Sequence, residues 1–531
     1  MKKRLIVPAI LLALCMAGCA AADPDPYVTA QPAQELPRTG PATEEPAGIL
    51  TEWMALEIPE GDEYAILECG LITFRGNAFR QNAACRETDG AVDRMALEWD
   101  YRIPTSDGDP EDGQRFPWTG QPLIVKWSVQ VREKSVFLPG FVPPVGMREV
   151  IAAEKDGTIH FLNLTTGETA RRPLKTGYRL GGGLSLHPGG MPYLCAGRTD
   201  GNGEAPLRQF NLYNLEEMEP AGRTGENNGI VSAALIDRTT QMVIAAGMDG
   251  TLYKIHINPE FDFTEGILRI HPTVLLRRTL AADGAGFLAP VSAMTDRIFC
   301  ADTAGILRCV QSRTMKTEWE KDLGDTVAAA IALDSRTERT ALYAANTLAN
   351  RAEGNAAVYC LDALSGEESW RREFGVRKQE GMSGFVASPA VGRKQLDARI
   401  YCTAAGLSLE GRKSLGLAGA EESALIALDK ETGETVWVYG MAGRCCSSPV
   451  AVYDADGTGR IIQCLPDGRI VLLDGKTGTV LDTLQTEGEI EASPAVYRNA
   501  LVVTSTGKDG GHIYGIRLYA EAEENGGADR P

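Results

Sequence analysis

The chain has 531 residues, 44% of them hydrophobic, with 58 glycines and 28 prolines. That length could make several average domains or one large repeat-built one, and the glycine content suits many short strands joined by tight turns. Fifty-three basic and 71 acidic residues leave a net charge of −18, which argues against non-specific nucleic-acid binding and suits a soluble extracytoplasmic surface.

The chain opens with a positive stretch, Lys2, Lys3 and Arg4, and an apolar run over residues 5–14, too short for a comfortable transmembrane helix. Met16-Ala-Gly-Cys19 resembles the bacterial lipobox, whose small residues admit the signal peptidase to the bond before a lipidated cysteine. The expectation is a lipoprotein signal peptide over 1–18 and an acylated Cys19, anchored stably because more than one chain is attached. The alternative is an ordinary secretory signal cut after Gly18 or Ala20. Residues 20–46 are rich in Pro, Ala, Glu and Thr and poor in large apolar side chains, so 19–50 is expected to be an extended tether. A lead-in segment follows over 51–96.

Residues 97–103, with Trp99, read as an outer strand lacking the three strands that should precede it. Innermost strands are expected at 122–127, 183–187, 230–236, 288–293, 326–333, 385–391, 446–452 and 491–497. The set that begins at 491 ends near Leu518 and lacks a fourth strand, which 97–103 would supply. That pairing closes a ring without leaving a sheet edge open.

The repeat is clearest in Leu425-Ile-Ala-Leu-Asp-Lys-Glu-Thr-Gly-Glu-Thr-Val-Trp437. A buried run leads into Asp429, which can accept from the turn amides; Gly433 supplies a left-handed residue, and a β-branched strand then carries Trp437. One such hairpin cannot hide its apolar face, and it recurs. Asp362, Gly366 and Trp370 form one copy, Asp474 and Gly478 another, and 159–167 a weaker one in which Arg171 replaces the tryptophan. Asp482 stands at the same place after Gly478. A second marker, Ser-Pro followed by small apolar residues, begins at Ser388, Ser448 and Ser493, and Gly433 to Gly478 and Pro449 to Pro494 are both 45 residues apart. A period near 45 with several strands per unit indicates a β-propeller.

The pattern A-L-D-x-x-T-G-x-x-x-W with a following S-P-A-V resembles the repeat of quinoprotein-type, pyrroloquinoline-quinone-like propellers, over about 71–518. The expected fold is all-β: an eight-bladed propeller of four-stranded antiparallel blades over 97–520, closed by the N-terminal strand, with a polar tail at 521–531. Leu71-Ile-Thr-Phe-Arg-Gly-Asn-Ala-Phe-Arg-Gln-Asn82 is similar to the F-R-G-N lead-in of many such propellers. Arg75 and Arg80 would sit either over the central channel, closing it, or on an outer blade face. Long second-to-third strand connections at 196–206, 346–356 and 405–423 place Arg198, Arg351, Arg412 and Lys413 on one face as basic spots, where binding usually resides.

The resemblance implies a quinone-dependent dehydrogenase with a Ca²⁺ held by carboxylate and amide oxygens, an aspartate base and a tryptophan floor. No such set appears at recognisable spacing, nor a C-x-x-C-H haem site. The vicinal Cys445-Cys446 could lie against a cofactor, as a disulfide can in these dehydrogenases, or act as small core residues. Cys69–Cys85 is a conceivable disulfide, and neither cysteines nor the five histidines show metal-ligand spacing. No cofactor, metal or catalytic residue is therefore assigned. The expected protein is a monomeric cell-envelope lipoprotein, membrane-bound through Cys19 and extracytoplasmic. Its propeller would bind a protein, peptide or wall polymer, similar in kind to the propeller scaffold of the outer-membrane barrel-assembly machinery. The alternative is a PQQ/Ca²⁺-dependent oxidoreductase or quinone-binding sensor.

Overall fold

The computed structural model describes residues 56–58, 64–65, 70–104, 118–199, 206–220, 229–335, 339–351, 353–378, 381–508 and 510–520. The expected signal peptide, Cys19, tether, Cys69 and polar tail lie outside the described residues. The repeat turn forms as its residues dictate. Asp429 Oδ1 accepts from the amides of Glu431 (3.0 Å) and Thr432 (3.1 Å), and Gly433 adopts φ +71°. Asp362 and Asp474 hold their turns in the same way.

Eight blades result, mostly of four antiparallel strands. Their innermost strands, blades 1 to 8 in chain order, are Trp118–Val125, Leu180–Leu186, Leu235–Asp237, Ser292–Met294, Ala332–Ser335, Ala390–Val391, Val450–Tyr453 and Ala495–Tyr497. Several begin later than expected. Their leading halves, including Ala233, Val291, Pro389 and Pro449, turn their carbonyls toward the axis and bond to arginine side chains instead of to a neighbouring strand. The ring closes as anticipated: Val92–Pro104 pairs antiparallel with Gly510–Ala520, Trp99 opposite Gly515 and Asp100 opposite Tyr514. This strand is longer than 97–103, and both chain ends share blade 8.

Blades lock to one another through tryptophan. Trp99, Trp319, Trp370 and Trp437 each lie on the next blade's turn, and the indole N–H donates to the carbonyls of Leu164, Ala363, Lys430 and Gly475 respectively. The glycines of those turns leave room for the ring: a Cβ on Gly433 would stand 2.6 Å from Trp370. Where tryptophan is missing, other side chains reach the equivalent place. Arg171 donates to Leu212 O, Lys254 to Ser312 O (2.7 Å), and Asp482 accepts from the Met95 amide (2.6 Å).

The Ser-Pro marker has a role of its own. The amides of Ala330, Ser388 and Ser448 donate to the hydroxyls of Ser388, Ser448 and Ser493 in the following blade, and Ser493 N donates to Gly120 O of blade 1. These bonds run around the ring from blade 5 to blade 1.

The expected one-sided elaboration is corrected. The second-to-third strand connections of blades 5 and 6 do carry extra structure, including the helix Leu409–Ser414, capped by Ser408. The opposite face is elaborated too. Blade 1 inserts residues 126–148 between its first and second strands, with the helix Val129–Lys134, and blade 3 inserts the hairpin Pro259–Asp262 and Ile267–Ile270. Helices of six residues are too short to leave a periodic signal.

Candidate functional site

A propeller's natural site is its axis, and here residues 71–85 occupy it. The segment circles the centre and bonds to each blade in turn. The amides of Ile124 (blade 1) and Leu186 (blade 2) donate to the carbonyls of Leu71 and Ile72; those of Ala293, Leu333 and Val391 (blades 4 to 6) donate to Ala78, Phe79 and Gln81; that of Val496 (blade 8) donates to Ala83. Asn82 exchanges two side-chain bonds with Ala451 of blade 7, at 2.7 and 3.0 Å. Blade 3 is reached by Arg80, whose Nη2 donates to Ala233 O. Ala84–Cys85 then adds a parallel strand beside Val496 and Tyr497.

Arg75 and Arg80 are the spokes, both 0% exposed. Arg75 donates to Pro449 O (2.9 Å) and Pro389 O (2.8 Å). Arg80 donates to Val291 O, to Thr73 Oγ1 and to Phe74 O. Both residues have left-handed φ, 57° and 54°, which turn their side chains into the ring. Gly76 between them is required, since a Cβ there would meet Asn82 O at 2.7 Å with φ at +85°. Burial pushes the Arg75 guanidinium down to about 9 and that of Arg80 to about 10, the latter pulled partly back by Tyr64. Carbonyl oxygens and one hydroxyl, not carboxylates, are their acceptors. The outer-face placement of these arginines is thereby overturned.

The remaining basic residues sit on the rim. Arg198 lies over the Tyr178 ring at 4.9 Å in blade 2. Arg351, in blade 5, pairs with the buried Asp325 at 3.2 Å. Arg412 and Lys413 belong to the helix Leu409–Ser414 of blade 6, where Arg412 donates to Gly419 O and Lys413 is exposed. Arg351, Arg412 and Lys413 thus share adjacent blades, and Arg198 stands apart. The repeat residues Asp362, Gly366, Trp370, Asp429, Gly433, Trp437, Asp474 and Gly478 all act in turns and blade docking.

The chain does not fit a quinone with Ca²⁺ on the axis. Leu71, Ile72, Phe79 and both arginines fill it, each buried to 1% exposure or less, and two guanidinium groups repel a divalent cation. Among the described residues no three His, Cys, Asp or Glu side chains gather as a metal set. Cys445 and Cys446 are unlinked thiols. Cys445 donates to Cys464 O and accepts from Gln463 Nε2, and burial raises both thiols, Cys446 to about 11. Cys445 is a core residue and Cys446 stands half-buried beside it.

Comparison with known proteins agrees with the geometry. Residues 303–521 match the family model described as outer membrane protein assembly factor BamB. The matched stretch, less than half of the chain, resembles a PQQ-like propeller. Over 139 residues the propeller is 30% identical to outer membrane protein assembly factor BamB of Alteromonas naphthalenivorans, a stretch covering 26% of this chain and 30% of that one. The chain therefore spans less than a third of the curated relatives it matches. Europium-containing methanol dehydrogenase superposes with a TM-score of 0.57 at 12% identity, covering 85% of this chain and 99% of that one. Quinohemoprotein alcohol dehydrogenase from Comamonas testosteroni gives 0.55 at 12%, covering 85% and 81%. At such identities the likeness is one of fold, and fold does not carry chemistry.

Proposed function

We propose that the PQQ-like propeller is a non-catalytic binding or scaffolding module of the cell envelope, its partner a protein, with a peptide or wall polymer as the other occupants of the same rim. The observation that carries this reading is the filled axis: the place where its dehydrogenase neighbours would require a wide pocket holds the chain's own Arg75, Phe79 and Arg80. The family model's description as an assembly factor supports a protein partner. The basic rim residues Arg198, Arg351, Arg412 and Lys413 supply binding spots on an acidic molecule. In the same reading residues 1–18 are a lipoprotein signal, Cys19 is acylated, and 19–50 tether a monomeric propeller on the extracytoplasmic side of the membrane.

Thermal denaturation with and without pyrroloquinoline quinone plus Ca²⁺ tests the non-catalytic part. A ligand at a hundred times its dissociation constant stabilises the folded state by about 2.7 kcal/mol. The expected outcome is an unchanged midpoint; a clear upward shift would overturn the scaffold reading and favour the oxidoreductase. Mass spectrometry of the mature N-terminus tests the anchor, with diacylated or triacylated Cys19 expected.

A further inference from the structure

Residues 136–147 read Val-Phe-Leu-Pro-Gly-Phe-Val-Pro-Pro-Val-Gly-Met, twelve positions without a polar side chain in a chain of net charge −18. Of these only Met147 is buried. Val142 is 83% and Val145 99% exposed, with Val136 at 47% and Val129, on the adjoining helix Val129–Lys134, at 53%. The loop is nevertheless preformed. Val136 N donates to Tyr213 O, Leu138 N to Ala170 O, and Phe137 lies under the Arg171 guanidinium at 4.7 Å while stacking on Phe141 at 5.8 Å. Arg132 donates to Pro144 O at the loop's far limb.

We infer that this loop docks on a lipid surface, seating Val142 and Val145 in the interfacial zone of a bilayer. Three observations select lipid over a protein partner. First, the backbone limits the cost of leaving water, since an unpaired amide in an apolar medium costs several kcal/mol. Pro139, Pro143 and Pro144 have no N–H and the amides of Val136, Leu138, Phe141 and Met147 are bonded within the protein, while those of Val142 and Val145 need the water and headgroup oxygens of the interfacial zone, which sets the depth of docking there and not in the hydrocarbon core. Second, the loop is bracketed by Arg132, Lys134 and Arg148 with only Glu133 among them before the buried Glu149, long stems that can lie along apolar surface with their heads in the headgroup layer. Third, the loop and the N-terminal lead-in share a face. Leu56 N bonds to Ser312 Oγ, Glu57 N to Asp237, and Ile58 bridges Thr295, all in turns on the side that carries residues 126–148. A chain tethered through Cys19 would present this side to its membrane, and to that extent the inference rests on the envelope reading. The blade 3 hairpin, whose tip Gly266 abuts the Lys134 stem, extends the patch with Phe263 and Ile267 but adds Asp262 and Glu265. Binding should accordingly be driven by the apolar residues and respond only modestly to salt.

The test uses the mature chain beginning at Ala20, which has no acyl group, floated with phosphatidylethanolamine–phosphatidylglycerol vesicles. The expected result is co-flotation, with the bound fraction reduced roughly tenfold in Val142→Asp/Val145→Asp. Both positions are exposed, so the variant should keep its circular dichroism and melting midpoint. No flotation of the parent chain, or equal flotation of the variant, would overturn the inference. So would a dimer in sedimentation that the double variant abolishes while vesicles are ignored, because the loop would then cover a second copy. If the acylated protein is membrane-bound but the Ala20 chain does not float, the envelope reading stands and this inference falls. Flotation of the Ala20 chain alongside an unmodified Cys19 in cells would give the reverse.

Discussion

At the scale of residues, stability is concentrated where one blade's side chain meets the next blade's turn. Gly433→Ala places a Cβ against Trp370 in a left-handed residue and should cost about 2–4 kcal/mol. Trp370→Ala should cost about 3–5, and the double variant less than the sum, because the clash goes with the ring. Denaturant unfolding of the four proteins measures that coupling; strict additivity would mean that ring and glycine do not touch. His187 gives a pH signature. Its Nδ1 accepts from the Gly189 amide, its Nε2 faces Gln241 Oε1, and burial pushes the imidazole down to about 4. The unfolded chain binds this proton more readily than the folded one. The contribution is therefore intact above pH 6.5 and lost as the pH falls toward 4. Relative to His187→Gln, the parent should lose about 2–3 kcal/mol between pH 7 and 4.5. The Asp-x-x-x-Gly turns were legible in the sequence because turn chemistry is local. Arg171 could be read at the tryptophan position, but that it and Lys254 would dock the next blade as tryptophan does could not, since Leu212 and Ser312 carry no signature and lie 41 and 58 residues on in a neighbouring blade.

At the scale of elements, two segments outside the repeats make the ring. The strand Val92–Pro104 closes blade 8, and its tryptophan without preceding strands announced that closure. Residues 71–85 bond to all eight blades, and here the arginines could be recognised as unusual while their depth could not: the partners are backbone carbonyls, which every residue possesses. Inner-strand starts were misplaced for the same reason, because periodicity does not distinguish a laddered carbonyl from one turned to the axis. Removal of residues 1–104 should expose the edge of Gly510–Ala520 and leave the axis empty. Size-exclusion chromatography is expected to show aggregate in place of a monomer; a monomer with intact near-ultraviolet dichroism would contradict the structural role assigned to both segments.

At the scale of the molecule, the two faces differ. One carries the second-to-third strand connections with Arg351, Arg412 and Lys413; the other receives the N-terminal lead-in and bears the apolar loop 136–147. Between them the axis is packed solid by the chain's own residues 71–83. The lead-in motif and the repeat pointed to a propeller, but whether its channel was open depended on side chains converging from every blade. Hydrogen exchange tests that most directly. The amides of Leu186, Ala293, Leu333, Val391 and Val496 point at the axis and donate to residues 72–83. If the hub fills the channel, they should exchange only through global unfolding, with protection equal to that of the central blade strands. Exchange at these five amides within minutes, while the strands stay protected, would mean a channel open to water and would contradict the account.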